Sequence, residues 1–580
     1  MLCPDPPDLE PLKRTLCYSL VGAGILLSLQ FAFPRTTNRL SSFVWLRLLP
    51  LARRPALCGW LLFLAVIFGR MALLARFPVP VPGIHDEFSY LLLGDTFADG
   101  RLSNPPHPMW ISFETFHVNW FPRYASMYPP GQGVVLAIGQ ILGNPWIGVL
   151  LSSAAMCAVV YWMLIAWLPG RWALLGGLTV WLKFGITHYW INSYWGEAVA
   201  ATGGALLLGA LGRLRRQSRA RDALFFGLGL AILANSRPFE GLLFSLPAGL
   251  YLLYRLLSPS LSEAAASARR KAVLVPIFAV LILTALAMAG YNRNLTGHAL
   301  LFPESLNIRT YHTAPMLIFE PSKPPLSYRN QQFEDFYNGW EREEYDHTLE
   351  SLSCVTWLKA VRLFAAFCWW GMLLAVPGLC FVLRDRLMRL PWSMLVLVAL
   401  GTLLVVWSNA HYAAPVAGIV ILLFVQALRH LRLMRWGTGR RSGARRNGWR
   451  WGAAVARTSL ILLLADTASA VINKQCDTFY WTCQGDISRL VIGRKLEALP
   501  GKHLVMVRYG EDHNIHDDWV YNGAAIDSAK VIWAREIDKN QDAKLFDYFR
   551  DRKIWLVTPD ADNTYLAPYT TPPRGRDTAR

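Results

Sequence analysis

The sequence predicts an α-helical polytopic membrane protein with a small α/β domain at its C-terminal end, and three observations predict it. Apolar runs of roughly 17–22 residues recur, each long enough to cross a bilayer core of about 30 Å as a helix. Arginines gather in alternate short loops between these runs, the charge pattern of loops that stay in the cytoplasm. Past residue 472 the composition changes to short β-branched or aromatic runs that alternate with helix-like segments.

The runs come first. The chain of 580 residues is 53% hydrophobic, with 24 Trp and 28 Phe. A lipid-exposed chain must satisfy its own backbone polar groups, so repeated runs of this length mean a helical bundle. Spans are predicted near 16–33, 57–76, 146–168, 172–190, 196–212, 222–236, 239–257, 272–290, 361–383, 391–408, 412–428 and 452–472. That makes about 11–12 transmembrane helices, because 16–33 either crosses or lies in the interface. A cleaved signal peptide fits poorly: no small-residue cleavage site follows the first run, and Arg35, Arg39, Arg47, Arg53 and Arg54 do.

Charge then orients the spans. The formal net charge of +19 is not spread over the chain. Clusters fall at 35–54, at Arg213, Arg215, Arg216, Arg219 and Arg221, at Arg269, Arg270 and Lys271, and at Arg384, Arg386 and Arg389. The densest, residues 429–450, holds eight arginines and no acid. This distribution is read as positive-inside rather than as nucleic-acid binding, and no nucleic-acid partner is expected. Parity then puts 77–145, 291–354 and 473–580 outside. It requires that 132–142, too short to cross, be a helix lying on the outer surface.

The organisation that follows has five parts. Residues 1–56 are an N-terminal helix and a basic cytoplasmic loop. Residues 57–428 are the main transmembrane unit, with external loops 77–145 and 291–354. A basic cytoplasmic loop covers 429–451, the last transmembrane helix 452–472, and a periplasmic α/β domain 473–580. Strands are expected in "KHLVMVRYG", "AKVIWAREI" and "RKIWLVTPD". About 100 residues suffice for a core of the domain's own. Outside the membrane, Cys476 and Cys483 are close enough in sequence for a disulfide, which such a compartment preserves.

The chemistry-bearing residues lie at the outer ends of the spans. Asp86 and Glu87 stand side by side in "GIHDEFSYLLLGD", just past an early span. "YPPGQG" at 128–133 precedes the short surface helix. Glu197 in "INSYWGEAVAATGG" sits at the next external turn. Arg237 in "LANSRPFEGLLF" occupies a tight turn between two spans, with Glu240 nearby. His411 and Tyr412 in "WSNAHYAAPVAG" open a late span, and Arg123 lies in the middle of the first loop.

This order resembles the polytopic GT-C glycosyltransferases, in the branch of protein O-mannosyltransferases and the aminoarabinose transferase of lipid A. The motifs cover roughly 57–290, and the layout extends to 428. The resemblance implies a GT-C-like fold and transfer of a sugar from a polyprenyl-phosphate carrier to a glycan, lipid or protein acceptor outside a bacterial inner membrane. It implies that the first-loop acid, here Asp86 or Glu87, activates or positions the acceptor. Glu197 matches the second acid more loosely, since many members carry Asp there. At the place of His411, members commonly carry arginine. A soluble external domain like 473–580 ends several relatives.

Such a transfer requires a carboxylate to take the acceptor proton, and cations or a metal to stabilise the leaving phosphate. An inverting displacement needs no covalent sugar–enzyme intermediate. Asp86 is read as the base and Glu87 as its positioning partner, since neighbours on a helix diverge by about 100°. The bland alternative is a pair of acids favoured by the helix dipole in a first turn. Glu197 is either catalytic or a solvated rim acid. Arg237, His411, Tyr412 and Arg123 are the phosphate-binding candidates; the alternative for Arg237 is a rim ion pair with Glu240. A divalent metal, where one is used, falls to Asp86 and Glu87, with His85 and His107 as further candidates. Asp512, His513, His516, Asp517 and Asp518 in "EDHNIHDDW" form a second metal-like grouping. The competing readings are a transporter or lipid flippase, and a non-catalytic envelope-assembly protein built around the external domain.

Overall fold

The computed structural model describes residues 10–258, 263–407, 409–433, 442–474, 485, 487–560 and 565–569. It is a multi-pass helical membrane protein with a sheet-containing C-terminal domain. Helices α1 (Glu10–Ala32), α2 (Pro34–Ala52) and α3 (Pro55–Ala72) open the chain, followed by α4 (His85–Ala98). Most of the segment expected as a loop is helical: Pro34 starts α2 and Pro55 starts α3, each in a first turn where the missing N–H costs nothing, and only Arg53 and Arg54 lie between them. The first external loop holds a two-stranded hairpin of β1 (Val118–Asn119) and β2 (Ala125–Ser126), then α5 (Pro130–Ile141). At twelve residues, α5 is too short to cross a bilayer as a helix.

Helices α6 (Pro145–Trp167), α7 (Gly170–Phe184), α8 (Glu197–Leu214), α9 (Ala220–Ala234), α10 (Pro238–Leu257) and α11 (Glu263–Thr296) form the bundle. The second external loop follows with α12 (Pro303–Tyr311), α13 (Gln331–Phe333), a π-helical turn over Glu334–Trp340, and α14 (Glu341–Glu350). Then come α15 (Leu352–Phe367), α16 (Val376–Arg384), α17 (Arg389–Leu404), α18 (Ala417–Leu433) and α19 (Ser442–Asn473). Among the described residues, seven helices are long and apolar enough to cross a membrane.

The predicted span at 361–383 is not one straight helix. It is the end of α15, a 3-10 turn over Trp370–Ala375 and α16, and the pair is bent by 96°. Cys368 and Trp369 are extended, which ends α15, and Pro377 starts α16. The Trp369 indole donates to the Ser459 carbonyl at 3.0 Å and fastens the break to α19.

Loops assigned to one side touch one another. Gly131 N–H donates to the Asn235 carbonyl at 2.8 Å, and Gln132 donates to that of Tyr194 at 2.8 Å. A Cβ on Gly131 would lie 2.6 Å from the Asn235 oxygen, so only glycine permits this approach. Leu317 pairs with Val405, and Gly485 N–H reaches the Val81 carbonyl. The arginine-rich turns meet at the other end: Arg255 donates to the Arg215 carbonyl, and Gln426 and His430 share Asp385.

The C-terminal domain has a four-stranded sheet in the order β4 (Val531–Arg535), β3 (Lys502–Val507), β5 (Arg552–Thr558), β6 (Tyr565–Pro568). β3 is parallel to β4 and β5, and β6 is antiparallel to β5. Helices α20 (Ile487–Ala498) and α21 (Lys539–Tyr548) flank it. Side chains alternate across a strand, and the two faces differ. Val505 and Val507 pack with Ile492, Leu496 and Trp533 inside the domain. Leu504 and Met506 pack with Leu92, Phe113, Val118 and Trp120 of the first external loop. The expected self-sufficient core is therefore half of the answer: one sheet face is completed by a segment some 400 positions upstream. Cys354 is disulfide-bonded. Cys476 and Cys483 lie outside the described residues.

Candidate active site

Asp86 and Glu87 occupy the first turn of α4, where the helix N-terminus favours negative charge. Their carboxylates part as the helical angle requires. Glu87 is buried; its Oε2 accepts the Gly83 N–H at 2.8 Å and its Oε1 the Tyr194 N–H at 2.9 Å. It ties the entry of α4 to the turn that precedes α8. Burial pushes its carboxyl up to about 7; the two backbone donors pull the other way and the charge of Asp86 adds to the rise.

Asp86 is half-buried and accepts a hydrogen bond from the Tyr128 hydroxyl. The Tyr128 ring stacks on Tyr90 with centroids 4.2 Å apart. Tyr90 lies four residues after Asp86, hence on the same helix face. Its buried phenol is within electrostatic reach of Arg237, Asp86, Glu197 and Glu304. These groups come from α4, α8, the turn before α10, and α12.

Arg237 is the cation of this cluster. It is half-buried as the residue before Pro238, and its guanidinium lies 4.5 Å from the centre of the Tyr412 ring. Among the described residues it makes no hydrogen bond or ion pair, and the expected alternative of a close Arg237–Glu240 pair is not formed. Glu240 itself is buried. Glu197 is fully buried, and both carboxylate oxygens lack a hydrogen-bond partner among the described residues. His411 Nδ1 stands 3.9 Å from one of them, beyond hydrogen-bond length, and its ring is held against Trp195 with centroids 4.0 Å apart. A buried carboxyl group with neither oxygen partnered, as at Glu197, is costly unless a ligand engages it.

Asp86, Glu87, Glu197, Arg237, His411 and Tyr412 are thus brought together, whereas Arg123 is exposed on the first loop and stands apart from them. Both carboxyl oxygens of Glu87 are engaged by backbone N–H groups, so its side chain holds two turns together. The residues do not fit the expected metal site: both oxygens of Glu87 are taken by backbone N–H groups, and among the described residues no three His, Cys, Asp or Glu are arranged around a cation. His107 is turned away, 3.1 Å from Asp527. In the second metal-like grouping, Asp518 pairs with Arg535 at 2.9 Å and His513 with Asp560 at 2.7 Å.

Several neighbours were not anticipated. His85 stacks on Phe116 at 4.5 Å and on His516 of the C-terminal domain at 5.8 Å, and it lies 5.5 Å from His117. Burial holds His117 down at about 4, with Asp86 pulling it up. These rings bring three external segments together beside Asp86. Arg70, inside α3, is fully buried and fans out to Asn192, Phe77 and Pro78 at 2.7–3.0 Å while lying over Trp146. It pins the outer end of α3 to the turn before α8. Only the spacing of Tyr90 from Asp86 was a usable signal; Glu304 follows Pro303 and reads as an ordinary helix start.

No family model and no curated protein matches the chain. Solved structures similar to it include the Archaeoglobus fulgidus oligosaccharyltransferase tethered with an acceptor peptide (11% identity over 87% of this chain and 68% of that chain, TM-score 0.45). ArnT from Cupriavidus metallidurans bound to undecaprenyl phosphate is 14% identical over 87% of this chain and 93% of that chain, with a TM-score of 0.45. The arabinofuranosyltransferase AftD from Mycobacteria is 14% identical over 88% of this chain and 36% of that chain, with a TM-score of 0.38. These are GT-C glycosyltransferases, the class that the sequence motifs resemble. At these identities and TM-scores the chemistry has to be argued from this chain's own residues.

Proposed function

We propose that this protein is a membrane glycosyltransferase of the GT-C type. It moves a sugar from a polyprenyl-phosphate carrier to an acceptor hydroxyl on the periplasmic side of a bacterial inner membrane, with inversion at the anomeric carbon. The observation that carries this reading is that the turn whose Tyr128 hydroxyl orients Asp86 is hydrogen-bonded, through Gly131 N–H and the Asn235 carbonyl, to the turn that presents the Arg237 guanidinium over Tyr412.

In this reading the acceptor oxygen attacks the anomeric carbon and its proton passes to Asp86. The bond from that carbon to the carrier's phosphate oxygen breaks, and the electron pair leaves with the lipid phosphate. Arg237, whose planar fork suits phosphate, balances that charge. Tyr412 holds the guanidinium from its face. Glu197 and His411 line the buried side, where the sugar hydroxyls need acceptors and donors. No step is assigned to a metal.

The test is a reconstitution. The full chain in lipid nanodiscs is given polyprenyl-phosphate donors with radiolabelled sugars and a cell-envelope extract as acceptor. The expected result is acceptor-dependent release of label from the lipid, reduced by about 10²–10⁴ in Asp86→Asn. Undiminished transfer by that variant, or vesicle flipping without transfer, overturns the reading.

A further inference from the structure

A second cavity lies outside the cluster just described, between the first and second external loops. It measures about 390 Å³, within the range of small-molecule sites. Its wall is aromatic, with Trp110, Trp120, Tyr311 and Tyr328, and the Glu114 carboxylate and the Arg329 guanidinium interrupt that wall. Trp120 is 2% exposed and lies stacked on Tyr124 with ring centroids 4.3 Å apart, a fixed part of the wall. Glu114, equally buried, accepts from the Tyr311 hydroxyl at 3.0 Å. Arg329 lies over the Trp110 ring at 4.8 Å.

Flat rings, one carboxylate and one guanidinium match a sugar ring. A pyranose or furanose presents C–H faces to aromatics and hydroxyls, both donors and acceptors, around its edge. A lipid tail would take the Arg329 guanidinium out of water and offer it no acceptor. A phosphate would meet Glu114 as a repelling charge. The cavity is also coupled to the reacting carboxylate. Phe333 in its wall packs on Phe116 at 4.6 Å, and Phe116 stacks on His85, the residue before Asp86, at 4.5 Å. One aromatic layer separates the two sites.

We infer that this cavity is a glycan-binding subsite. It holds a sugar of the acceptor chain next to the one that receives the transferred residue, and so selects a glycan over a lipid or protein acceptor. The inference rests on the glycosyltransferase reading for its role, but the binding can be measured without transfer. The experiment uses the full chain in nanodiscs, as wild type and as Asp86→Asn, titrated with mannotriose, arabinotriose and chitotriose. Saturation-transfer NMR and tryptophan fluorescence report binding.

At least one trisaccharide should bind saturably to both proteins. Trp110→Ala and Arg329→Ala, each exchanged at the rim, should weaken it tenfold or more while melting at the wild-type temperature. Tyr328→Ala serves as the replacement if either fails to fold. No saturable binding by any of the three, binding that the variants leave unchanged, or displacement by a proline-rich peptide that binds more tightly overturns the inference. Binding without any transfer activity would overturn the reading of Asp86 and leave the subsite standing; transfer without trisaccharide binding would do the reverse.

Discussion

The Tyr128 hydroxyl donates to the carboxylate of Asp86, and through that bond the "YPPG" turn at the start of α5 orients the first acid of α4. A hydrogen bond to a charged group contributes about 1.5–3 kcal/mol. Tyr128→Phe keeps the stack on Tyr90 and removes only the donor. Transfer should fall by about 10–100-fold in kcat, with the KM for the lipid donor little changed. Steady-state kinetics on reconstituted protein checks this, and an unchanged kcat would make the bond a spectator.

Arg237 should act on the donor instead. Arg237→Lys retains the charge but loses the planar fork. The KM for the polyprenyl-phosphate donor should rise by about 10-fold or more, and Arg237→Gln should be worse. Titration with the bare lipid phosphate, followed by fluorescence, separates this binding defect from a slow chemical step.

Glu87 predicts a pH dependence of stability. Its carboxyl is raised from the ordinary 4.5 to about 7, so the folded chain holds a proton that the unfolded chain releases. Its contribution is therefore full below about 4.5 and is lost as pH rises through about 7, an effect of up to about 3 kcal/mol. The depressed His117 works in the opposite sense, losing stability as pH falls from 6.5 towards about 4. Comparing wild type with Glu87→Gln isolates the acid: the difference between their melting temperatures should change steadily between pH 5 and 8, while a parallel pair of curves would contradict the assignment.

The pair between Arg535 and Asp518 is buried at both ends, and Asp518 also takes the Thr115 hydroxyl of the first loop. Arg535→Met leaves Asp518 buried without its cation, a loss of about 3–5 kcal/mol. The contact between the first loop and the C-terminal domain should loosen. Limited proteolysis should then cut within 509–528 at protease levels that leave the wild type intact.

The bundle was legible in the sequence because apolar run length and arginine placement are strong, local signals. The break at Cys368–Trp369 was not: hydropathy is the same on both sides of it, and only backbone geometry distinguishes a bent pair from a straight span. Of the site, the residues at helix ends could be picked out because the chain rarely puts acids and arginines there without cause. That Glu87 serves the backbone while Asp86 faces the cluster depends on which donors lie opposite, and those come from Gly83 and Tyr194, on separate segments. The His85–His117–His516 assembly joins positions hundreds apart, so no window along the chain could disclose it. The shared sheet face escaped notice for the same reason: alternation marks two apolar faces but not what covers the second.

That shared face has a consequence for biosynthesis. Leu92 and Leu504, which pack in one cluster, are 412 positions apart. At synthesis rates of about 5–20 residues per second, the earlier one waits roughly 20–80 s for the later one to emerge. Until then Leu92, Phe113 and Trp120 lack the apolar cover that Leu504 and Met506 give them. The folding of the first loop is thus tied to strands made much later, and a chain that stops before β3 leaves that apolar surface facing water.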